Sequence, residues 1–133
     1  DIDMICRYVK EIPEMAIQLV EVNDKPMTII YPGAVTGQHA LAPNTVAEDG
    51  TVGIRIPMMD FCQQLVARLG RPLVSTSANI SGEPTPKNYS EISEEIRSAV
   101  DHIVDPSFEK GSTGHSSSII KVGLDYSIEI IRK

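Results

Sequence analysis

Apolar residues recur at helical spacing in three stretches of the chain. The first stretch consists of Ile12, Met15, Ala16, Leu19 and Val20, which follow the i, i+3, i+4 pattern of a helix with one buried face. A similar stripe over 61–69 predicts a second helix, which ends where Gly70 offers a left-handed stop. A third stripe predicts a helix over 90–100, capped by Ser90 or Asn88.

Short runs of β-branched and apolar residues separate these helices. They predict strands at 27–31, 51–56, 73–76, 102–104, 118–121 and 127–131. Because strands alternate with helices, the predicted class is α/β. The last two strands are joined by only a few residues, which predicts an antiparallel edge. We therefore expect a twisted, mixed sheet flanked by helices.

A polar loop follows the third predicted strand. It runs from Ser75 to Gly82 and contains several hydroxyl groups and the amide of Asn79. Ligands of open α/β sheets bind outside the carboxyl ends of strands, and short polar side chains there suit phosphate oxygens. An ordinary turn, satisfied by its own Ser and Asn side chains, explains the same composition. Composition alone leaves both interpretations open.

Arg55 is a charge inside an otherwise apolar strand. Alternation of side chains places Val52 and Ile54 on one face and Gly53 and Arg55 on the other. If both faces of the sheet are buried, Arg55 needs an anionic partner, such as a phosphate or a carboxylate. If its face is exposed to solvent, it needs none.

Composition and charge narrow the classes of function. The 133 residues are 41% hydrophobic and 23% charged, which is typical of one soluble domain spanning 1–133. No apolar run approaches the ~20 residues of a membrane helix. The net charge of −6 argues against a chain-wide nucleic-acid surface but leaves a local basic groove possible.

Several common types of site are not indicated. Cys6 and Cys62 have no paired spacing, so we expect two reduced core thiols in a cytoplasmic protein. The three histidines lack ligand spacing, so no metal site is predicted. There is no P-loop and no GxGxxG, and no catalytic residue is assigned because no nucleophile has a base beside it. The residues indicate binding and positioning rather than acid–base catalysis.

The order of motifs resembles a known family. A strand with GIRIP, a strand entering STSANISGEPTP, a GHSSSII strand and a closing EIIRK are similar to the YrdC-like threonylcarbamoyl-AMP synthases, over roughly 26–132. The resemblance implies a nucleotidyltransferase that joins L-threonine, bicarbonate and ATP, with Mg²⁺, and releases pyrophosphate. Its product would serve a downstream complex that modifies adenosine 37 of tRNA. Some members of the family also bind double-stranded RNA.

The resemblance also implies residue roles. The positions that match ATP contacts are Thr28, Ser77, Asn79, Thr85 and Arg132. The positions that match threonine contacts are Arg55, Ser75 and Ser117.

The chain departs from the family pattern before residue 26. Members begin with a Pro-Thr-Asp/Glu-Thr segment and a Lys-x-Arg pair, and nothing here matches either. We therefore expect a domain that lacks its N-terminal segment and makes little product alone. One alternative is a non-catalytic RNA- or nucleotide-binding module of the same fold. Another is a carbamoyl-transfer domain like that of hydrogenase-maturation proteins.

Overall fold

The computed structural model describes residues 1–133. Its α-helices are α1 (Ile2–Ile5), α2 (Glu14–Val22), α3 (Asp60–Leu69) and α4 (Glu94–Ala99). Its strands are β1 (Met27–Tyr31), β2 (Val52–Arg55), β3 (Ser118–Val122) and β4 (Ile128–Arg132). Short 3₁₀ turns lie at Pro43–Thr45, Tyr89–Glu91 and Pro106–Glu109. No helix has both the length and the apolar character needed to cross a membrane.

The four strands form one mixed sheet in the order β2-β1-β3-β4. β1 pairs with β2 in antiparallel and with β3 in parallel orientation, and β3 pairs with β4 in antiparallel orientation. A mixed sheet with helices and an antiparallel edge was predicted, and the α/β class is confirmed.

The hydrophobic core lies on one face of this sheet. Met27, Ile29 and Tyr31 alternate along β1 and are buried, whereas Thr28 and Ile30 between them are half-buried. This face belongs to the same buried cluster as apolar residues of the N-terminal helices, such as Ala16 of α2. Burying one aliphatic side chain contributes roughly 1.5–3 kcal/mol, so this face determines which side of each strand turns inward.

The chain divides into two compact units. The first consists of Asp1–Leu73 and Ser117–Lys133 and contains the whole sheet. The second consists of Val74–Ser116 and contains α4 and two of the 3₁₀ turns.

The predicted strands at 73–76 and 102–104 are absent, and these residues have irregular backbone. Their apolar side chains are exposed, Val74 to 76% and Ile103 to 41%. No strand forms anywhere within the second unit. A strand is stable only when a neighbour accepts and donates its backbone hydrogen bonds, and local composition does not provide that neighbour.

Two helix predictions also need correction. The helix predicted over 90–100 begins at Glu94, because Ser93 is its cap and the Ser93 hydroxyl accepts the Ile96 N–H at 3.4 Å. Of the two predicted caps, Ser90 lies within a separate 3₁₀ turn and Asn88 directly precedes that turn. The short helix α1 was not predicted; the Asp1 carboxylate caps it by accepting the Met4 N–H at 2.8 Å.

Candidate functional site

A row of paired residues crosses the sheet on the face opposite the core. In the strand register, Arg55 pairs with Thr28, Thr28 with Ile119, and Ile119 with Arg132. Paired residues place their side chains on the same face. Arg55, Thr28 and Arg132, which we call the polar row, therefore lie at one end of the sheet.

Ser117 connects two members of the polar row. Its hydroxyl oxygen lies 2.8 Å from the Thr28 hydroxyl oxygen, so one donates a hydrogen bond to the other. Its carbonyl oxygen accepts two hydrogen bonds from Arg132, from Nε at 2.9 Å and from Nη2 at 2.7 Å. This two-point contact orients the guanidinium and leaves its other N–H groups available.

Arg55 is exposed, and so is Gly53 on the same face of β2. Of the two interpretations left open for Arg55, the structure therefore shows the exposed face, on which the side chain needs no partner within the protein. The chain's ion pairs, Arg97–Glu94 and Lys121–Asp49, do not include it. A guanidinium in this setting can bind a carboxylate or phosphate in two-point fashion.

The second unit contains the other four predicted residues. Ser77 and Thr85 line an open cavity of about 340 Å³ together with residues of the two 3₁₀ turns. Ser75 is exposed on irregular backbone.

Asn79 has a role inside its own loop. Its amide nitrogen donates to the carbonyl oxygens of Ile80 and Glu83, both at 3.1 Å, and so closes the turn that follows. Its other side-chain atom, Oδ1, is buried and has no hydrogen-bond partner. The ordinary-turn interpretation thus accounts for the amide nitrogen of Asn79 but not for its oxygen.

No pattern in the sequence indicated the aromatic lining of this cavity. Tyr89 and Phe108 both line it, and so do the carboxylates Asp105 and Glu109. The two aromatic residues lie in separate 3₁₀ turns, which have too few residues to show a period. The only feature of the sequence that distinguished these two residues is that aromatic residues are few, since the chain has four Tyr, two Phe and no Trp.

A second cavity lies within the first unit, on the core face. It has a volume of about 250 Å³, and its walls include Met27, Ile29, Ile54 and Tyr31. Burial raises the pKa of the Tyr31 phenol to about 12. No predicted site residue lines this cavity.

The structure contains neither a cluster of metal-binding side chains nor a disulfide bond. No three His, Cys, Asp or Glu side chains come together as a metal-binding group. Cys6 and Cys62 form no disulfide. Cys6 is exposed and Cys62 is half-buried, so the prediction that both are core thiols is wrong.

A family model matches the chain over residues 1–133. It is the Sua5/YciO/YrdC model, and its description reads "Telomere recombination". No solved structure matches the chain significantly.

Curated proteins also match. Threonylcarbamoyl-AMP synthase of Pyrococcus abyssi is 30% identical over 98 residues, which cover 72% of this chain and 27% of that protein. The enzyme of the same name from Xanthomonas euvesicatoria pv. vesicatoria is 35% identical over 89 residues, 67% of this chain and 40% of that protein. A Methanocaldococcus jannaschii protein, whose name proposes the same activity, is 39% identical over 115 residues, 82% of this chain and 53% of that protein. The chain thus matches about half, or less, of the length of these relatives.

Proposed function

Because the chain belongs to the Sua5/YciO/YrdC family, we propose that it takes part in making threonylcarbamoyl-AMP from L-threonine, bicarbonate and ATP. In this reaction the threonine amine and bicarbonate give a carbamate and water. A carbamate oxygen then attacks the α-phosphorus of ATP, and the bond to the pyrophosphate oxygen breaks. The observation that carries the proposal is the polar row with Ser117, because it brings four predicted substrate contacts to one end of one sheet.

Arg55 is the proposed anchor for the threonine carboxylate. It is exposed and makes no ion pair within the chain, so its guanidinium is free for a two-point contact. We assign Ser117, which lies in the same unit as Arg55, to the same substrate, and Ser75 of the second unit stays a predicted threonine contact. Ser117 offers a hydroxyl that Thr28 already orients at 2.8 Å.

The ATP contacts that we propose within the first unit are Thr28 and Arg132. For the second unit, taken by itself, Ser77, Asn79 and Thr85 stay the predicted ATP contacts. Arg132 is the only cation in this set, and its two bonds to the Ser117 carbonyl fix its position before substrate binds. Since no carboxylate cluster in this chain fits a metal ion, we derive no role for protein-bound Mg²⁺, which enters as part of the Mg–ATP substrate.

Catalysis in this proposal is electrostatic. None of the assigned side chains is a carboxylate or an imidazole, so none provides general acid–base chemistry near neutral pH. Oriented donors such as Arg132 stabilise the charge that develops on the phosphate oxygens, and removing one such donor typically costs about 10²–10³ in rate. The product would then pass to the tRNA-modifying complex, with both steps placed in the cytoplasm.

The experiment that tests the function is pyrophosphate release from ATP as threonine and bicarbonate are added in turn. We expect release to require both, and Arg55→Ala to raise the threonine concentration needed by at least tenfold, since hydrogen bonds to a charged group contribute about 1.5–3 kcal/mol. Arg55→Lys should retain part of the effect, because Lys keeps the charge but not the planar two-point geometry. Arg68→Ala, an exposed arginine on α3, is the matched control. Release that does not depend on threonine would contradict the proposal.

A further inference from the structure

The cavity of the second unit combines aromatic and acidic side chains. Tyr89 and Phe108 contribute rings, and Asp105 and Glu109 contribute carboxylates, whereas Lys87 is the single basic residue in the lining. Two residues already assigned to ATP, Ser77 and Thr85, belong to the same lining. The nucleoside end and the triphosphate end of ATP differ in how well they fit this combination of aromatic rings and carboxylates.

Both carboxylates are held in place by backbone N–H groups. The Asp105 carboxylate accepts a hydrogen bond from the backbone N–H of Ser107 at 2.8 Å. Hydrogen bonding from Ser107 holds the pKa of Asp105 below its ordinary value. Glu109 accepts the Tyr89 N–H at 2.7 Å. At neutral pH the lining therefore carries two fixed negative charges against one positive charge. A triphosphate bears several negative charges and is repelled by such a surface.

A nucleoside has the opposite requirements. Its base is a flat ring that stacks on aromatic side chains, and its amino and hydroxyl groups donate hydrogen bonds that carboxylates accept. Arg97 also contacts the Tyr89 ring, since its guanidinium carbon lies 5.6 Å from the ring centroid. The volume of about 340 Å³ lies at the small end of ligand pockets, which run from roughly 300 to 1,000 Å³.

We propose that this cavity binds the nucleoside end of ATP, with the base against Tyr89 and Phe108, and that the triphosphate lies outside it. Tyr89 is then a specificity-determining residue for the nucleotide, and Asp105 and Glu109 turn the phosphates away from the cavity. This inference rests on the proposed function insofar as it takes ATP as the nucleotide.

Calorimetric titration of three probes tests the assignment: ATP, adenosine and inorganic tripolyphosphate. Tyr89→Leu should weaken ATP and adenosine by the same factor, about 5- to 150-fold for the loss of one base–aromatic stack. It should leave tripolyphosphate binding unchanged. Tyr89→Phe, which keeps the ring, should bind all three probes as the unchanged chain does. Tyr126→Leu, at an exposed aromatic residue of the first unit, is the matched control.

Two further variants keep the test decisive. The bond to Glu109 uses the backbone N–H of Tyr89 and survives the substitution, but if circular dichroism shows that Tyr89→Leu is unfolded, Phe108→Leu takes its place with the same expectation. Glu109→Gln removes a charge that repels phosphates, so this variant should bind tripolyphosphate at least as tightly as the unchanged chain does. Weaker tripolyphosphate binding would show that this carboxylate helps to hold the phosphates, and the proposal is then overturned.

The outcomes separate this inference from the proposed function. If adenosine binding depends on Tyr89 but no threonine-dependent pyrophosphate is released, the proposed function fails and the nucleoside site stands. If pyrophosphate is released but folded Tyr89→Leu binds ATP as tightly as before, the function stands and the nucleoside site is overturned. If the unchanged chain does not bind adenosine, the nucleoside site is also overturned.

Discussion

The hydroxyl oxygens of Thr28 and Ser117 lie 2.8 Å apart although the two residues are 89 positions apart in the sequence. Parallel pairing of β1 with β3 brings them together, since Met27 pairs with Ser118, the residue after Ser117. The same Ser117 accepts two hydrogen bonds from Arg132 through its carbonyl group. One serine therefore links two assigned ATP contacts.

The Thr28–Ser117 hydrogen bond should be measurable as a coupling. Ser117→Ala and Thr28→Val should each lower the free energy of unfolding by about 0.5–1.5 kcal/mol, because each removes the same half-buried bond. The double variant should lose less than the sum of the two. Urea unfolding followed by circular dichroism measures all three, with exposed Ser116→Ala as a control that changes stability by less than ~0.5 kcal/mol. Additive losses would show that the two hydroxyls do not interact.

Ionisation of the Tyr31 phenol should lower the free energy of unfolding at high pH. Its pKa is raised from 10.0 to about 12 by burial, so the folded chain keeps the phenolic proton that the unfolded chain loses. The stability it contributes is fully present below pH 10 and is lost as pH rises from 10 to 12, by roughly 2–3 kcal/mol in total.

The control for this effect is Tyr31→Phe, which has no proton to lose. Its free energy of unfolding should be insensitive to pH over the same range, apart from what other groups contribute. Denaturant unfolding at half-unit pH steps gives the comparison. Equal slopes for the two proteins between pH 10 and 12 would rule out Tyr31 as the source.

Asn79→Ala should affect both the loop and the nucleotide. Its amide nitrogen holds the carbonyl groups of Ile80 and Glu83, so the variant should expose the 80–83 turn to proteolysis. If its buried Oδ1 or its amide also contacts ATP, calorimetry should show binding weakened by about 1–3 kcal/mol. Ser81→Ala, which changes an exposed hydroxyl in the same loop, should leave both readouts unchanged. A loosened loop with unchanged ATP affinity would leave Asn79 only its structural role.

Two glycines of the first unit should respond differently to alanine. Gly70 ends α3 with φ of +73°, a conformation that costs L-residues roughly 1–2 kcal/mol, so Gly70→Ala should lower stability by about that amount. At Gly53 a Cβ would lie 3.5 Å from the nearest atom, the Thr28 Cγ2, which is ordinary contact. Gly53→Ala should therefore be neutral or slightly stabilising. Thermal melts of the two variants provide the comparison, and an equal loss in both would contradict it.

Local signals in the sequence were sufficient to predict several elements of the fold. The apolar stripe over 12–20 and the alternation in 27–31 predicted α2 and β1, because both elements turn apolar side chains toward the core. Gly70 predicted the end of α3, because glycine adopts the left-handed conformation found there. The identity of the candidate site residues came from the resemblance of short motifs to a known family, and such motifs are also local. The same reasoning failed at 73–76, where a β-like composition has no neighbouring strand to pair with.

Which residues meet depends instead on contacts between distant parts of the chain. The register that aligns Arg55, Thr28 and Arg132 depends on three strand pairings between distant segments, and no local pattern encodes it. The cavity beside Tyr89 and Phe108 likewise arises from two separate 3₁₀ turns. Backbone hydrogen bonds between strands and contacts between turns join residues that lie far apart in the sequence. Local patterns therefore predict which segments bury a face, whereas long-range contacts determine which side chains share a site.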